Sequence, residues 1–161
     1  MSISSDLLRC SNKSAVSFTE MCSVRLGKTL FAVPIGHILE IIGSARPQPV
    51  PLAPSFVGGL IHYRGEVLTT VSLRYLLDLP TLDRPQDILV FENVGVFFGV
   101  LVDSVGEVFT VSSDDHEPNP STLDERRRAL FTGSYRLKGT LLVTLDPERL
   151  DPLSLCAAQA A

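Results

Sequence analysis

Tryptophan is absent from this chain, methionine occurs twice and cysteine three times. No stretch reaches the roughly 18 consecutive apolar residues of a membrane-spanning helix. The opening residues, MSISSDLLRCSNKSAVS, lack the apolar core of roughly 7–15 residues that marks a secretory signal. A cytosolic protein with no direct membrane insertion is expected. Cys10, Cys22 and Cys156 show neither metal-ligand spacing nor a disulfide framework, so reduced thiols are expected. Positive charge is also in short supply: 14 Lys and Arg against 18 Asp and Glu give a net charge of −4. The one dense cluster, Arg126-Arg127-Arg128, adjoins Asp124 and Glu125 and reads as a solvated face. A small β-barrel that reads nucleic acid needs a concentrated basic face with stacking aromatics. At 7% aromatic and acidic overall, this chain suits that role poorly.

The reactive motifs are missing as well. His37, His62 and His116 are the three histidines, and none has a ligand partner at helical or hairpin spacing. No G-x-S-x-G elbow, phosphate loop or dinucleotide fingerprint occurs. The acidic SSDDHEP stretch lacks the glycine and terminal Glu of a calcium loop. No catalytic residue, cofactor or metal is assigned, and a binding module is expected rather than an enzyme.

Apolar residues make up 45% of the chain, punctuated by eleven Gly and eleven Pro. Short β-branched runs between frequent turn residues predict a mostly β protein. Residues 15–26 read as a strand, turned by Gly27-Lys28 into TLFAVPI. A Pro-rich connection follows over 43–54. GEVLTTVS reads as a strand, with Ser72 placed to cap the short helical pattern LRYLLDL. ILVFENVGVFFGVLV predicts a hairpin with a three-residue loop around Val94. A long polar surface loop covers 112–128, a final hairpin turns at Lys138-Gly139, and DPERL, with Asp146 as cap, opens a terminal helix.

The chain also repeats itself. FAVPIGHILEI at 31–41 lies over FGVLVDSVGEV at 98–108 with an offset of 67, matching Phe31 to Phe98 and Glu40 to Glu107. Residues 59–76 lie over 133–150 with an offset of 74, matching Gly59, Gly65, Leu68 and Thr70 to Gly133, Gly139, Leu142 and Thr144. Two hairpins share Gly and Val by chance easily, but two blocks in the same order with matched glycines and a matched Glu favour duplication. Each half, near 65 residues, is too small to bury much core alone. Two small barrels about a pseudo-twofold axis are expected, over residues 13–83 and 84–151, with tails at 1–12 and 152–161, the second partly helical.

Three features suggest docking. Glu40 sits in the apolar run HILEII and either faces solvent or pairs with Arg64 of YRG. Phe56, Val57, Leu60 and Ile61 stand among loop residues, either folded back on the barrel or forming a partner surface. VLVDSVGEV is either ordinary core or one wall of a groove between barrels, of the kind that accepts a helix.

At these residues the sequence resembles the CheW family of bacterial chemosensory adaptors. The family pattern runs P-x-x-V-x-E-I, then P-x-x-P-x-F-x-x-G-x-x-N-L-R-G-x-x-x-P-V-x-D-L-R, then G-x-x-V-D-x-V. This chain offers FAVPIGHILEII, VPLAPSFVGGLIHYRGEVLTTVSLR and FGVLVDSVGEV in that order. The resemblance implies two five-stranded SH3-like β-barrels with short helices and no enzymatic activity. It implies an adaptor joining the cytoplasmic tip of chemoreceptors to the regulatory domain of a CheA-type histidine kinase. Other CheW copies in rings are further partners, and the resemblance places the protein in the cytoplasm, at receptor arrays on the inner membrane. Carried over residue by residue, Ile38, Glu40, Arg64, Gly99, Val102, Asp103, Val105 and Val108 match positions around the receptor groove. Phe56, Val57, Gly59 and Leu60 match positions near the kinase contact. The departures are His62-Tyr63 for Asn-Leu, Thr69 for Pro and Ser72 for the Asp cap. They leave open a scaffold of a non-flagellar pathway, such as surface motility or second-messenger control.

Overall fold

The computed structural model describes residues 16–160, with side chains through 157; Cys10 and the expected tail at 1–12 lie outside the described residues. Eleven strands are formed: β1 (Phe18–Leu26), β2 (Thr29–Pro34), β3 (Glu40–Ala45), β4 (Val57–Tyr63), β5 (Glu66–Ser72), β6 (Gln86–Asn93), β7 (Val96–Val102), β8 (Ser104–Ser112), β9 (His116–Glu117), β10 (Phe131–Leu137) and β11 (Thr140–Leu145). Three short helices accompany them: α1 (Leu73–Leu76), α2 (Glu125–Arg128) and α3 (Pro152–Ala160). The protein is mostly β, as the turn-punctuated apolar runs predict. Ser72 caps α1, its side chain accepting from the Tyr75 N–H. Asp146 caps only the 3-10 turn Pro147–Arg149. The terminal helix starts later, where the Asp151 carboxylate accepts from the Leu153 N–H at 2.6 Å.

The strands form two sheets, ordered β3-β6-β7-β5-β4 and β8-β1-β2-β11-β10-β9. The first closes on itself where Gln48, just beyond β3, forms a bridge with Leu60 of β4. The second closes where β8 leads through a 3-10 turn into β9, which pairs with β10. Closure removes most free strand edges. Barrel one encloses Ile61, Tyr63, Leu68, Ile88, Val90 and Leu101. Barrel two encloses Met21, Ala32, Val111 and Leu142. The largest cluster, with Val24, Phe31, Phe56, Leu89, Phe91, Phe98 and Phe131 among its members, takes residues from both sheets and from the short helices.

Hairpins β4–β5 and β10–β11 occupy matching surroundings. Gly59 pairs with Thr70 and Gly133 with Thr144, each just after an irregularity in register. The Thr70 hydroxyl donates to the Gly59 carbonyl at 2.9 Å, and Thr144 to Gly133 at 3.0 Å. Both glycines take positive φ, 129° and 139°. A Cβ at either would lie 2.6 Å from a backbone oxygen, of Gln48 or of Glu117. Each hairpin then joins a parallel neighbour at matching residues, Thr70 with Gly99 and Thr144 with Ala32.

The expected boundary at 83/84 separates the sequence copies but not the barrels. Barrel one combines β3, β4 and β5 with β6 and β7, and barrel two combines β8 to β11 with β1 and β2. Each half therefore lends its first hairpin to the other's sheet. The cause lies in these hairpins' composition. Strands β1, β2, β6 and β7 carry three to five consecutive buried residues, the signature of strands covered on both faces. Ile88 and Val90 point into barrel one while Leu89 and Phe91 join the shared core. Such strands fit only in the wall between two apolar volumes. Two further expectations are corrected. Residues 57–63, expected as loop, are strand β4, and the turn between β6 and β7 has two residues, because Asn93 pairs directly with Val96.

Candidate docking surface

One ion pair is held inside the molecule. Arg74 of α1 donates to both oxygens of Asp103, Nε to Oδ1 and Nη2 to Oδ2, each at 2.6 Å. The side chains are 10% and 4% exposed. Arg74 also donates to the Pro80 carbonyl, and Asp103 Oδ2 accepts from the Gly27 N–H at 2.7 Å. Burial alone would raise the Asp103 carboxyl; the Arg74 guanidinium and the Gly27 N–H outweigh it and hold the acid below its usual range, while the same hydrogen bonds push Arg74 up. The bidentate fork thus ties α1, the β1–β2 turn and the corner between β7 and β8. Asp87 adds a second tie, accepting from the Ser44 N–H at 3.1 Å and the Val105 N–H at 2.8 Å. Together these bonds fix the two barrels against each other. Among the described residues no group of His, Cys, Asp and Glu is arranged to hold a metal.

The exposed chemistry lies on the barrel rims. At the open end of barrel one, Leu39, Tyr63, Arg64, Glu66, Glu92 and Phe97 line a cavity of about 360 Å³. Arg64 sits in the β4–β5 turn with its Cζ 5.2 Å from the centre of the Tyr63 ring. Burial pushes the Tyr63 phenol up, with the Arg64 charge opposing this and the Glu40 charge adding to it. Leu39 and Ile41 stand exposed on either side of Glu40. On β8 the matching residue to Ile41, Val108, is exposed to nearly the same degree, 50% against 47%.

The sequence-derived residues separate into two groups. Glu40, Arg64 and Val108 are exposed, and Ile38, Val105, Val57 and Leu60 half-buried. Phe56, Gly99 and Val102 are corrected to core positions. Phe56 and Val102 are fully buried in the shared core. A Cβ at Gly99 would lie 2.7 Å from Ile88 Cγ2, inside barrel one. Gly59 is buried beneath the chain at Pro47 and Gln48, and Asp103 is spent on Arg74. The expected Glu40–Arg64 ion pair is absent from the described ion pairs; Arg64 lies over the Tyr63 ring instead. Arg126, Arg128 and Arg149 bond to Asp78, to carbonyls of 120–123 and to Asp146, so the basic cluster is mostly structural. Sequence reasoning gave no role to Arg74 or Tyr63. The signal for Arg74 was a lone Arg within an apolar helical pattern and a lone Asp within an apolar run.

The family model for the CheW-like domain matches residues 20–152. The chain belongs to the CheW-like family. The chemotaxis protein CheW of Rhizobium meliloti (strain 1021) is 30% identical over 135 residues, 83% of this chain and 87% of that protein. Protein PilI of Pseudomonas aeruginosa PAO1 is 31% identical over 83 residues, 50% of this chain and 47% of that protein. The crystal structure of the scaffolding protein TtCheW from Thermoanaerobacter tengcongensis superposes with a TM-score of 0.74 at 21% identity, covering 83% of this chain and 92% of that one. The paired-barrel architecture is thus shared with that CheW structure. No helix among the described residues is long and apolar enough to cross a membrane.

Proposed function

We propose that this CheW-like protein is a non-enzymatic adaptor that couples the cytoplasmic tips of chemoreceptors to the regulatory domain of a CheA-type histidine kinase. It works in the cytoplasm, recruited to receptor arrays at the inner membrane. The observation that carries this reading is the rigid joining of two barrels by a shared core and a buried ion pair. An adaptor must hold two partners in fixed relative orientation, and a shared core with a buried ion pair does that better than a linker. Receptor contact is assigned to Glu40, Arg64 and Val108, with Ile38 and Val105 beneath them. Kinase contact is assigned to the β4 edge at Val57 and Leu60. Exposed apolar residues beside unpaired charges suit a helical partner, whose recognition rests on apolar anchors and flanking charge.

Affinity capture from the native cytosol, read by mass spectrometry, tests the reading. Recovery of a CheA-type kinase and of chemoreceptors is expected, and receptor recovery is reduced by Arg64→Glu with circular dichroism unchanged. Equal capture of kinase and receptor by wild type and Arg64→Glu, both folded, counts against the assignment. A second reading, a scaffold serving a non-flagellar pathway, is favoured by His62-Tyr63 where the family pattern has Asn-Leu. The identity of the captured kinase and receptors separates the two readings.

A further inference from the structure

Glu40 and Arg64 are opposite charges on one face that do not meet. Between them stands Tyr63, nine-tenths buried and packed with Ile61, Leu68, Ile88, Val90 and Leu101 in the interior of barrel one. A ring anchored in this way is a fixed plane. Its centre lies 5.2 Å from the Arg64 Cζ, within the reach of a cation–π contact. The three residues come from three places: Glu40 from β3, Tyr63 from the end of β4, and Arg64 from the turn that follows. Strands β3 and β4 share no ladder in the sheet; the bridge from Gln48 to Leu60 is all that joins their ends. Tyr63 therefore spans the seam of the barrel at its rim.

We propose that Tyr63 is the positioning residue of this docking site. It holds the Arg64 guanidinium over its ring, apart from Glu40, so that the cation is presented unneutralised to a partner carrying an acid. A direct Glu40–Arg64 pair would leave neither charge free. The second barrel supplies an internal contrast. There Glu107 and Lys138 match Glu40 and Arg64, but Leu137 stands where Tyr63 does, offering neither ring face nor hydroxyl. The backbone differs too: Arg64 takes a left-handed φ of 49° ahead of Gly65 at 79°, whereas at the second tip Gly139 alone is left-handed. The inference rests on the adaptor reading above and adds the chemistry of the partner surface, an acid that meets Arg64.

The test uses the full chain with Tyr63→Phe, which keeps the ring, and Tyr63→Leu, which keeps neither ring nor hydroxyl. In the free protein, NMR should show the Arg64 Hδ protons shifted upfield by the ring, a shift kept in Tyr63→Phe and lost in Tyr63→Leu. Binding to a purified helical-hairpin fragment of a chemoreceptor cytoplasmic tip should weaken about two- to five-fold in Tyr63→Leu, the value of an exposed cation–π contact, and be largely rescued in Tyr63→Phe. Arg64 protons unshifted in wild type, or unmoved by Tyr63→Leu, overturn the proposal. So does undiminished binding by a folded Tyr63→Leu. Failure of wild type to bind the hairpin sinks the adaptor reading instead, and the partner-free NMR measurement still decides whether Tyr63 holds Arg64.

Discussion

The two barrel rims share a hairpin frame and differ in tip backbone and in almost every side chain. At the tip of β4–β5 stand Tyr63, Arg64 and Glu66, with Glu92 and Phe97 beside them around a cavity of about 360 Å³. At the tip of β10–β11 stand Leu137, Lys138 and Thr140, with Leu30, Phe109 and Leu142 around one of about 310 Å³. One rim is charged and polar, the other apolar with a single cation. Behind each lies the same device: a glycine under a crossing chain, a threonine hydroxyl on its carbonyl, and a parallel neighbour. Duplication has kept what the backbone demands and released what solvent alone surrounds. A molecule with two unlike ends on one rigid frame can hold two unlike partners.

The contrast can be broken or sharpened by substitution. The largest effect is expected at the ion pair, which has no counterpart in the repeat: the positions matching Asp103 and Arg74 are Gly36 and Glu148. Asp103→Ala leaves Arg74 buried without its anion and should cost about 3–5 kcal/mol, read by chemical denaturation. Acid should act in the same direction. Because Asp103 is held below its ordinary value in the fold, its contribution is fully present above the unfolded carboxyl's pKa. It is lost as pH falls through the lowered folded value. Stability measured down through the ordinary Asp range should decline in wild type and decline less in Asp103→Asn.

Next come the paired glycines. Gly59→Ala and Gly133→Ala each force a side chain into a positive φ and against a backbone oxygen, and each should cost roughly 1–3 kcal/mol. Losses of similar size would support the repeat as a physical equivalence; a neutral result at one site alone would break it. The smallest effect is expected at the tips. Arg64→Asn places a residue tolerant of the left-handed region where Arg now sits, and should raise stability by about 0.5 kcal/mol while weakening partner capture. Lys138→Asn, at an ordinary φ, should leave stability within about 0.5 kcal/mol of wild type. Stability gained with capture lost at Arg64 would mark a residue kept for binding.

Much of this fold was legible in the chain because it is written in local chemistry. Paired offsets of Gly, Thr and Glu announce two copies, Ser72 announces a helix start, and Gly65 and Gly139 announce hairpin tips. The exchange of hairpins was not read, although its trace was present in ILVF and FFGVLV, which run apolar where a half-exposed strand would alternate. Periodicity reports how many faces are buried and not which neighbour buries them. The site was legible only in part for the same reason. Phe56, Gly99 and Val102 lie in motifs, and motif membership does not distinguish a contact residue from one that shapes the wall behind it. Glu40 and Arg64 were found as charges and Tyr63 as a departure from the family pattern, but the burial of its ring in the barrel with Arg64 over it becomes visible only in the fold.

The crossed hairpins have a mechanical consequence. A chain cut between residues 83 and 84 would yield two pieces, each lacking two staves of its own cask and carrying two of the other's. Neither piece should stand alone, yet mixed together they should knit into the whole. A load applied at one end has no swivel in which to dissipate, since parting the two casks means drawing strands out of both. The molecule behaves as a solid coupling, and tilt imposed at the polar rim must arrive at the apolar one.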